Sequence, residues 1–218
     1  MQTTFEDRVD AGRKLAAALR RYQGENCVVL ALPRGGVPVG AEIAKALHAP
    51  LDLLLVRKIG VPYQPELAMG AVVDGGTPII VRNDDVIRQS GINEHTFNAV
   101  CQKELAEIER RRGLYLRGRP PLDPRDRTAI VVDDGIATGA TMRAALRATR
   151  MRKPKRLILA VPVAPLETLE SLRAEVDDIV CLASPEHFGA VGYFYRNFGQ
   201  TEDDEVIALL ERPSGSAS

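Results

Sequence analysis

One stretch of the chain, residues 130–142, constrains its fold more than any other. It reads Ile-Val-Val-Asp-Asp-Gly-Ile-Ala-Thr-Gly-Ala-Thr-Met: β-branched apolar residues, two adjacent carboxylates, a turn rich in glycine and threonine, and the start of a helix expected at 141–151. A short apolar run that ends in a turn is typical of a buried strand. Because a strand that leads directly into a helix packs that helix onto its own sheet, the stretch predicts one β–α unit of a parallel sheet.

The turn inside this unit also predicts an anion site. Backbone N–H groups and the positive end of the helix dipole face whatever lies at a helix N-terminus. Thr138 and Thr141 add hydroxyl donors, and the glycines let a phosphate approach the backbone closely. Asp133 and Asp134 lie directly before the turn and suit vicinal hydroxyls, so the stretch predicts a ribose 5-phosphate ligand. The alternative is a plain surface turn, which would not need the strand, both acids and both threonines together.

Strand-like and helix-like segments alternate along the rest of the chain. Apolar runs predict strands at 27–32, 51–56, 130–132, 157–161 and 179–182, and a β-hairpin at 69–73 and 78–81. Spaced apolar residues predict helices at 5–22 (with Thr4 as N-cap), 39–47, 83–89, 94–116 and 166–174. Pro62 and Pro65 predict a loop at 60–67. The alternation favours an α/β fold, a doubly wound parallel sheet with helices on both faces.

Three polar segments follow predicted strands directly: 33–36, Arg57 with Lys58, and 133–141. The C-terminal ends of parallel strands lie at one edge of the sheet, and ligands bind there near a switch in strand order. We therefore expect the three segments to converge on one site.

Composition excludes several classes of protein. Lys and Arg number 29, as do Asp and Glu, and the pI is near 6.8, so bulk charge favours neither nucleic acid nor an anionic membrane as a partner. The three cysteines are far apart, and no metal-ligand spacing is present. The N-terminus is polar, and no apolar run reaches the roughly 18 residues that predict a membrane span. We expect a reduced, soluble, cytoplasmic protein.

The stretch 130–142 resembles the binding signature for phosphoribosyl pyrophosphate (PRPP) of type I phosphoribosyltransferases: an apolar strand, paired acids and a Thr-Gly-x-Thr loop. The resemblance implies that Asp133 and Asp134 hold the ribose 2′ and 3′ hydroxyls. It also implies that the following loop holds the 5-phosphate, through Gly135, Ala137, Thr138, Gly139, Ala140 and Thr141. The family fold implied is the α/β sheet predicted above with a small C-terminal hood.

Two further segments resemble the pyrophosphate-binding parts of the same family. Arg34, Gly35 and Gly36 correspond to a loop that often contains a cis peptide, expected here at Pro33–Arg34. The glycines would admit a diphosphate, and Arg34 would grip it bidentately. Arg57 and Lys58 would neutralise the pyrophosphate under a flexible flap at 60–67. An ordinary β–α turn and a solvated basic strand end remain the alternatives for these segments.

The resemblance also divides the chain. It implies a PRPP-binding core at 1–182, which includes a helical insertion at 83–118, then a hood at 183–212 and a disordered tail at 213–218. The long charged helix would shape either a homodimer contact or a lid. In the hood, Phe188, Tyr193 and Tyr195 are the candidates to stack on an acceptor, and a place in the hood's own core is the alternative for each.

The implied reaction transfers the phosphoribosyl group from PRPP to a ring nitrogen, with release of pyrophosphate. Arg34, Lys58, Asp133 and Asp134 would be catalytic, and the two acids would contact Mg²⁺ indirectly, through PRPP or water. Ala137 replaces the acid of 6-oxopurine enzymes, which argues against hypoxanthine-guanine specificity and leaves the acceptor unassigned. The rival hypotheses are a PRPP- or nucleotide-binding regulatory protein without turnover and a phosphate-ester enzyme that uses the same cradle. A P-loop motif is absent, which disfavours an ATP-dependent kinase.

Overall fold

The computed structural model describes residues 5–74 and 78–211. The expected N-cap Thr4, the hairpin turn at 75–77 and the tail at 213–218 lie outside these residues. The strands are β1 (Cys27–Ala31), β2 (Leu51–Leu53), β3 (Val56–Val61), β4 (Gln64–Val73), β5 (Ile79–Arg82), β6 (Thr128–Val132), β7 (Arg156–Val163) and β8 (Asp178–Ala183). The helices are α1 (Arg8–Ala18), α2 (Gly36–Leu47), α3 (Asp84–Gln89), α4 (Glu94–Leu116), α5 (Ala140–Met151), α6 (Leu166–Leu172) and α7 (Asp203–Glu211).

Five parallel strands in the order β2-β1-β6-β7-β8 form the central sheet. Alternate residues of β1 and β6 point to opposite faces, as a pleated strand requires. Val29 and Ile130 pack with α1, α2 and α7, whereas Leu30 and Val131 pack with α5 and α6. Apolar burial on both faces explains why these strands read as continuous apolar runs. The prediction of an α/β fold with a parallel central sheet is confirmed.

A second, antiparallel sheet of order β3-β4-β5 contains the expected hairpin of β4 and β5. It also corrects the prediction of a loop at 60–67, because Gly60 lies in β3 and Pro65 in β4. The proline is tolerated since β5 pairs only with residues 70–73 of β4, and the β3–β4 register is irregular beside it. The strand predicted at 51–56 divides at 54–55, where the chain leaves one sheet for the other.

Several helices differ from their predicted bounds. Helix α1 begins after Asp7, whose side chain caps it by accepting from the Asp10 N–H. Helix α4 has the predicted bounds and packs on β3, β4 and α7, while its status as an insertion stays a prediction. Helix α7 was not predicted, and it buries Val206, Ile207 and Leu210. Within the described residues, no helix has both the length and the apolar character needed to span a membrane.

Candidate functional site

The site lies where the strand order of the central sheet reverses. From β1 the chain continues to β2 on one side, whereas β6, β7 and β8 follow on the other. Ala31 and Val132 pair at the ends of β1 and β6, and the Leu32 N–H donates to the Val132 carbonyl at 2.9 Å. The segments that follow these two strands, 33–36 and 133–141, therefore start side by side at the carboxyl edge of the sheet. This is the edge at which doubly wound proteins bind ligands.

The two acids after β6 have different surroundings. The Asp134 carboxylate accepts a hydrogen bond from Arg8 Nε at 2.8 Å, and both side chains of this ion pair are largely buried. The Asp134 carbonyl accepts from the Tyr195 hydroxyl at 2.5 Å, while the Asp133 carboxylate accepts from the Asp134 N–H at 2.8 Å. Asp134 is thus tied to the N-terminal helix and to the hood, which leaves Asp133 as the acid that lines a cavity.

Burial raises the pKa of both carboxyl groups. For Asp133, desolvation and then the neighbouring Asp134 charge raise the pKa well above its usual range. For Asp134, desolvation raises the pKa and the Arg8 guanidinium opposes that rise. Arg8 is thus the cation that partly offsets the burial of the two acids. The sequence offered no indication that Arg8, 126 residues before Asp134, would lie here.

The loop after β1 packs directly against the acids. The Pro33–Arg34 peptide is cis, as expected. A Cβ on Gly35 would lie 2.0 Å from Asp134 Oδ2, and a Cβ on Gly36 would lie 2.8 Å from the Val132 carbonyl oxygen. The glycines are therefore required by the contact between the loop and residues 132–134. This reason differs from the predicted one, which was to make room for a diphosphate.

Arg34 is directed toward the C-terminal segment. Its Nη1 lies 3.6 Å from Asp203 Oδ1 in the first turn of α7, and the side-chain amide of Gln200 adjoins the same guanidinium. Asp203 also accepts from the Tyr115 hydroxyl at 2.6 Å. Burial and this carboxylate raise the pKa of Tyr115 to about 12. The Arg34 guanidinium is therefore paired with a carboxylate, and its contact with a diphosphate stays a prediction.

A cavity of about 90 Å³ connects the two loops with the start of β3. It is lined by Leu32, Pro33, Leu54, Leu55, Val56, Arg57, Arg111, Asp133 and Thr141. An adjacent void of about 30 Å³ shares Val56 and Thr141 with it and adds Lys58 and Ala140. The structure therefore brings the predicted residues Asp133, Thr141 and Arg57 together, with Lys58 beside them.

Each cation near these two cavities is paired with a carboxylate. Arg57 Nε lies 2.8 Å from Glu104 of α4, and Lys58 Nζ lies 2.9 Å from Glu66 of β4. Arg111 Nε lies 2.7 Å from Glu107, four residues earlier on α4. Sequence reasoning missed Arg111, because a Glu and an Arg at this spacing in a charged helix ordinarily form a solvent-exposed pair.

The loop before α5 has the form of an anion cradle. Gly139 has φ +77° and is the N-cap of α5, and the Thr168 hydroxyl fixes the loop by donating to the Ala137 carbonyl at 2.8 Å. Ala137, Thr138 and Thr141 are exposed. Since a phosphate binds to N–H groups at a helix N-terminus, this loop presents the surface that a phosphate monoester would need.

The hood aromatics do not all suit a stacking role. Tyr195 is 5% exposed, and its ring contacts Phe5 and Phe198 at centroid distances of 5.3 and 5.0 Å. This burial favours the alternative for Tyr195, a place in the hood's own core. Phe188 stacks on Phe194 at 5.4 Å, and Tyr193 is 60% exposed.

The family model of the phosphoribosyl transferase domain matches residues 1–197 of this chain. The match includes both loops, both acids and every strand described above. The chain belongs to the phosphoribosyltransferase family. The recognition drawn from residues 130–142 is thereby confirmed at the level of the family, and α7 lies beyond the matched residues.

Relatives support the same assignment. A protein of Mycobacterium tuberculosis (strain H37Rv), whose name assigns it only provisionally to the phosphoribosyl transferases, is 50% identical over 208 residues, which cover 95% of this chain and 46% of that protein. The chain thus spans about half the length of this relative. The uracil phosphoribosyltransferase of Methanococcus maripaludis is 34% identical over 86 residues, 38% of this chain and 37% of that one. The crystal structure of TT1426 from Thermus thermophilus has a TM-score of 0.84 and 41% identity, and covers 94% of this chain and 97% of that one.

The donor set of this site fits a magnesium ion that is held partly by a phosphate-bearing ligand. Among residues 5–74 and 78–211, no group of three or more His, Cys, Asp or Glu side chains could hold a metal alone. Mg²⁺ is commonly held by one or two carboxylates together with substrate phosphates and water. Asp133, at the cavity, offers one such carboxylate, whereas Asp134 is already bound by Arg8.

Proposed function

We propose that this protein transfers the 5-phosphoribosyl group of Mg²⁺-bound PRPP to a nitrogen of a small, nucleobase-like ring and releases pyrophosphate. The observation that carries the proposal is the cavity at which Asp133, Thr141 and Arg57 meet, between the loops 33–36 and 133–141. Its residues supply partners for a ribose hydroxyl, a phosphate and a diphosphate on one ligand. A cytoplasmic location is part of the proposal and is supported by composition alone.

The 5-phosphate would bind to the exposed loop at the start of α5, with Thr138 and Thr141 as hydroxyl donors. Asp133 would accept from a ribose hydroxyl and offset positive charge that develops at C1 as the bond to pyrophosphate breaks. Asp134 would not contact the ribose directly, because its carboxylate binds Arg8 and lies against Gly35. The resemblance assigned both acids to the ribose hydroxyls, whereas this proposal assigns only Asp133 to them.

Catalysis would come from positioning and from neutralising the leaving group. Arg57 and Lys58 would exchange their present partners, Glu104 and Glu66, for pyrophosphate oxygens. When bound, Mg²⁺ would supply further positive charge at the diphosphate. The strands β3 and β4, which carry Lys58 and Glu66, would form the flap that excludes water.

The acceptor would lie beyond C1 under the hood. Phe188 and Tyr193 are the proposed contacts, and Tyr193 has the more accessible ring. The exposed Ala137 offers no carboxylate to an acceptor, which favours a ring that needs none at this position. The core, hood and tail division remains part of the proposal.

Calorimetry with PRPP and Mg²⁺ tests the donor site. Asp133→Asn keeps the size of the side chain and removes its charge, so we expect PRPP affinity to fall about tenfold or more, as for loss of a charge-assisted hydrogen bond. Asp85→Asn, which removes an exposed carboxylate paired with Arg88, is the matched control and should bind PRPP as the parent does. Equal affinity of the parent and Asp133→Asn would refute the assignment of the site.

A screen of nucleobases for PRPP-dependent release of pyrophosphate tests turnover. Release with one base would establish transfer and identify the acceptor class. PRPP binding without release with any base would instead support the regulatory alternative.

A further inference from the structure

Two neighbouring arginines of α4 share one carboxylate but face different surroundings. Arg110 and Arg111 both bind Glu107, with Nε to carboxylate distances of 2.8 and 2.7 Å. The Arg110 side chain is 62% exposed, whereas that of Arg111 is 31% exposed and lines the cavity with Asp133 and Thr141. Similar pairing therefore leaves one guanidinium in solvent and places the other at the candidate site.

Arg111 retains donors for a ligand. Among the described residues its hydrogen bonding is limited to Nε with Glu107, and a guanidinium has five N–H donors. Its terminal nitrogens are suited to binding a phosphate bidentately, which a lysine cannot do. The Glu107 bond fixes the side chain without consuming those donors.

The residues that line the cavity with Arg111 indicate which part of the ligand it contacts. The same cavity is lined by Pro33, of the loop after β1, and by Arg57, near the start of β3. Helix α4 packs on β3, and Glu104 of the same helix holds Arg57. Arg57 and Arg111 are thus two cations of one cavity, and helix α4 carries Arg111 and holds Arg57. The proposed function assigns Arg57 to the diphosphate.

We propose that Arg111 binds the diphosphate of PRPP together with Arg57. Helix α4 is then part of the binding site. This inference rests on the proposed function, since it deepens the account of the same cavity. It also explains why a long charged helix packs against the β3–β4 strands beside the site.

The test compares Arg111→Gln with Arg110→Gln by calorimetry, using three probes: PRPP with Mg²⁺, pyrophosphate with Mg²⁺, and ribose 5-phosphate. We expect Arg111→Gln to weaken PRPP and pyrophosphate binding about tenfold to hundredfold, as for loss of a charge-assisted bidentate contact. Ribose 5-phosphate affinity should change less than about threefold, because that probe lacks the diphosphate. Arg110→Gln should leave all three affinities within about twofold of the parent, since an exposed pair on a helix contributes little.

Arg111→Lys provides a second variant that keeps the charge without the planar fork. It should recover part of the pyrophosphate affinity, and it decides the question by the same three probes if Arg111→Gln does not fold. Equal behaviour of the Arg110 and Arg111 variants would overturn the inference, as would equal losses of pyrophosphate and ribose 5-phosphate binding. Absence of PRPP binding by the parent protein would instead refute the proposed function, and the inference with it.

Discussion

Substitution of Gly36 by alanine tests how closely the loop after β1 packs on the acid-bearing strand. Gly36 begins α2, and a Cβ there would lie 2.8 Å from the Val132 carbonyl oxygen and 3.0 Å from Asp133 Cα. Both are backbone atoms, in the last residue of β6 and the residue after it, so they cannot rotate away as a flexible side chain would. The Leu32 N–H, on the same loop, already donates to that carbonyl at 2.9 Å.

The expected magnitude follows from these distances. Ordinary van der Waals contact begins at 3.4 Å, so the loop must retreat by about 0.6 Å, the difference between 3.4 and 2.8 Å. Overpacking of this kind costs about 1–3 kcal/mol, and the helix propensity of alanine returns up to about 1 kcal/mol. We expect Gly36→Ala to lower the free energy of unfolding by about 1–2 kcal/mol. Because the shift moves the loop relative to Asp133 and weakens the charge-assisted contact of that acid, PRPP affinity should fall about tenfold.

Urea unfolding and calorimetry measure the two effects. Gly113→Ala is the matched control, because this glycine lies within α4 and an added Cβ would meet nothing within 4 Å. That variant should gain about 0.5–1 kcal/mol from helix propensity and bind PRPP normally. A Gly36→Ala protein as stable as the parent, with unchanged PRPP affinity, would refute the tight packing of loop and acids.

Two polar contacts, Arg8 with Asp134 and Tyr115 with Asp203, give the remaining predictions. Arg8→Gln should lower the free energy of unfolding by about 2–4 kcal/mol in urea titrations, because it leaves the buried Asp134 carboxylate without its cation. Asp134→Asn in the same chain should restore part of the loss. A loss below about 0.5 kcal/mol would contradict the pairing. Tyr115→Phe should cost about 1 kcal/mol by removing the bond to Asp203. Since the pKa of Tyr115 is raised to about 12, the folded protein keeps a proton that the unfolded chain loses near pH 10, and stability should fall between about pH 10 and 12. Unfolding measured across that range should show a smaller fall in Tyr115→Phe, and an identical pH dependence would exclude the assigned shift.

The local features of this protein follow from its sequence. The alternation of apolar runs and periodic segments predicted the parallel sheet, and α4 has the predicted bounds, Glu94–Leu116. The stretch 130–142 formed the predicted strand, loop and helix, and Pro33–Arg34 contains the expected cis peptide. Such features depend on residues within a few positions of one another, so turn chemistry and periodicity are sufficient to specify them.

The sequence did not predict helix α7 or the strands at 60–67. The run 203–211 is short and begins with acids, and it is helical because Val206, Ile207 and Leu210 are buried against the rest of the fold. Residues 60–67 contain two prolines yet extend a β-ladder, because β5 does not pair with β4 beside Pro65. In both cases tertiary packing overrode the local preference.

The sequence by itself determined which segments reach the site: the loop after β1, the start of β3 and the paired acids with their glycine-rich turn. Only the tertiary structure decided which side chains face the cavity. Arg34 binds Asp203, Asp134 binds Arg8, Tyr195 is buried, and Arg111 lines the cavity from a helix that in sequence resembled a peripheral charged segment. The physical reason is that the direction of a side chain depends on partners far away in sequence, 126 residues in the case of Arg8 and Asp134, and local periodicity carries no information about them.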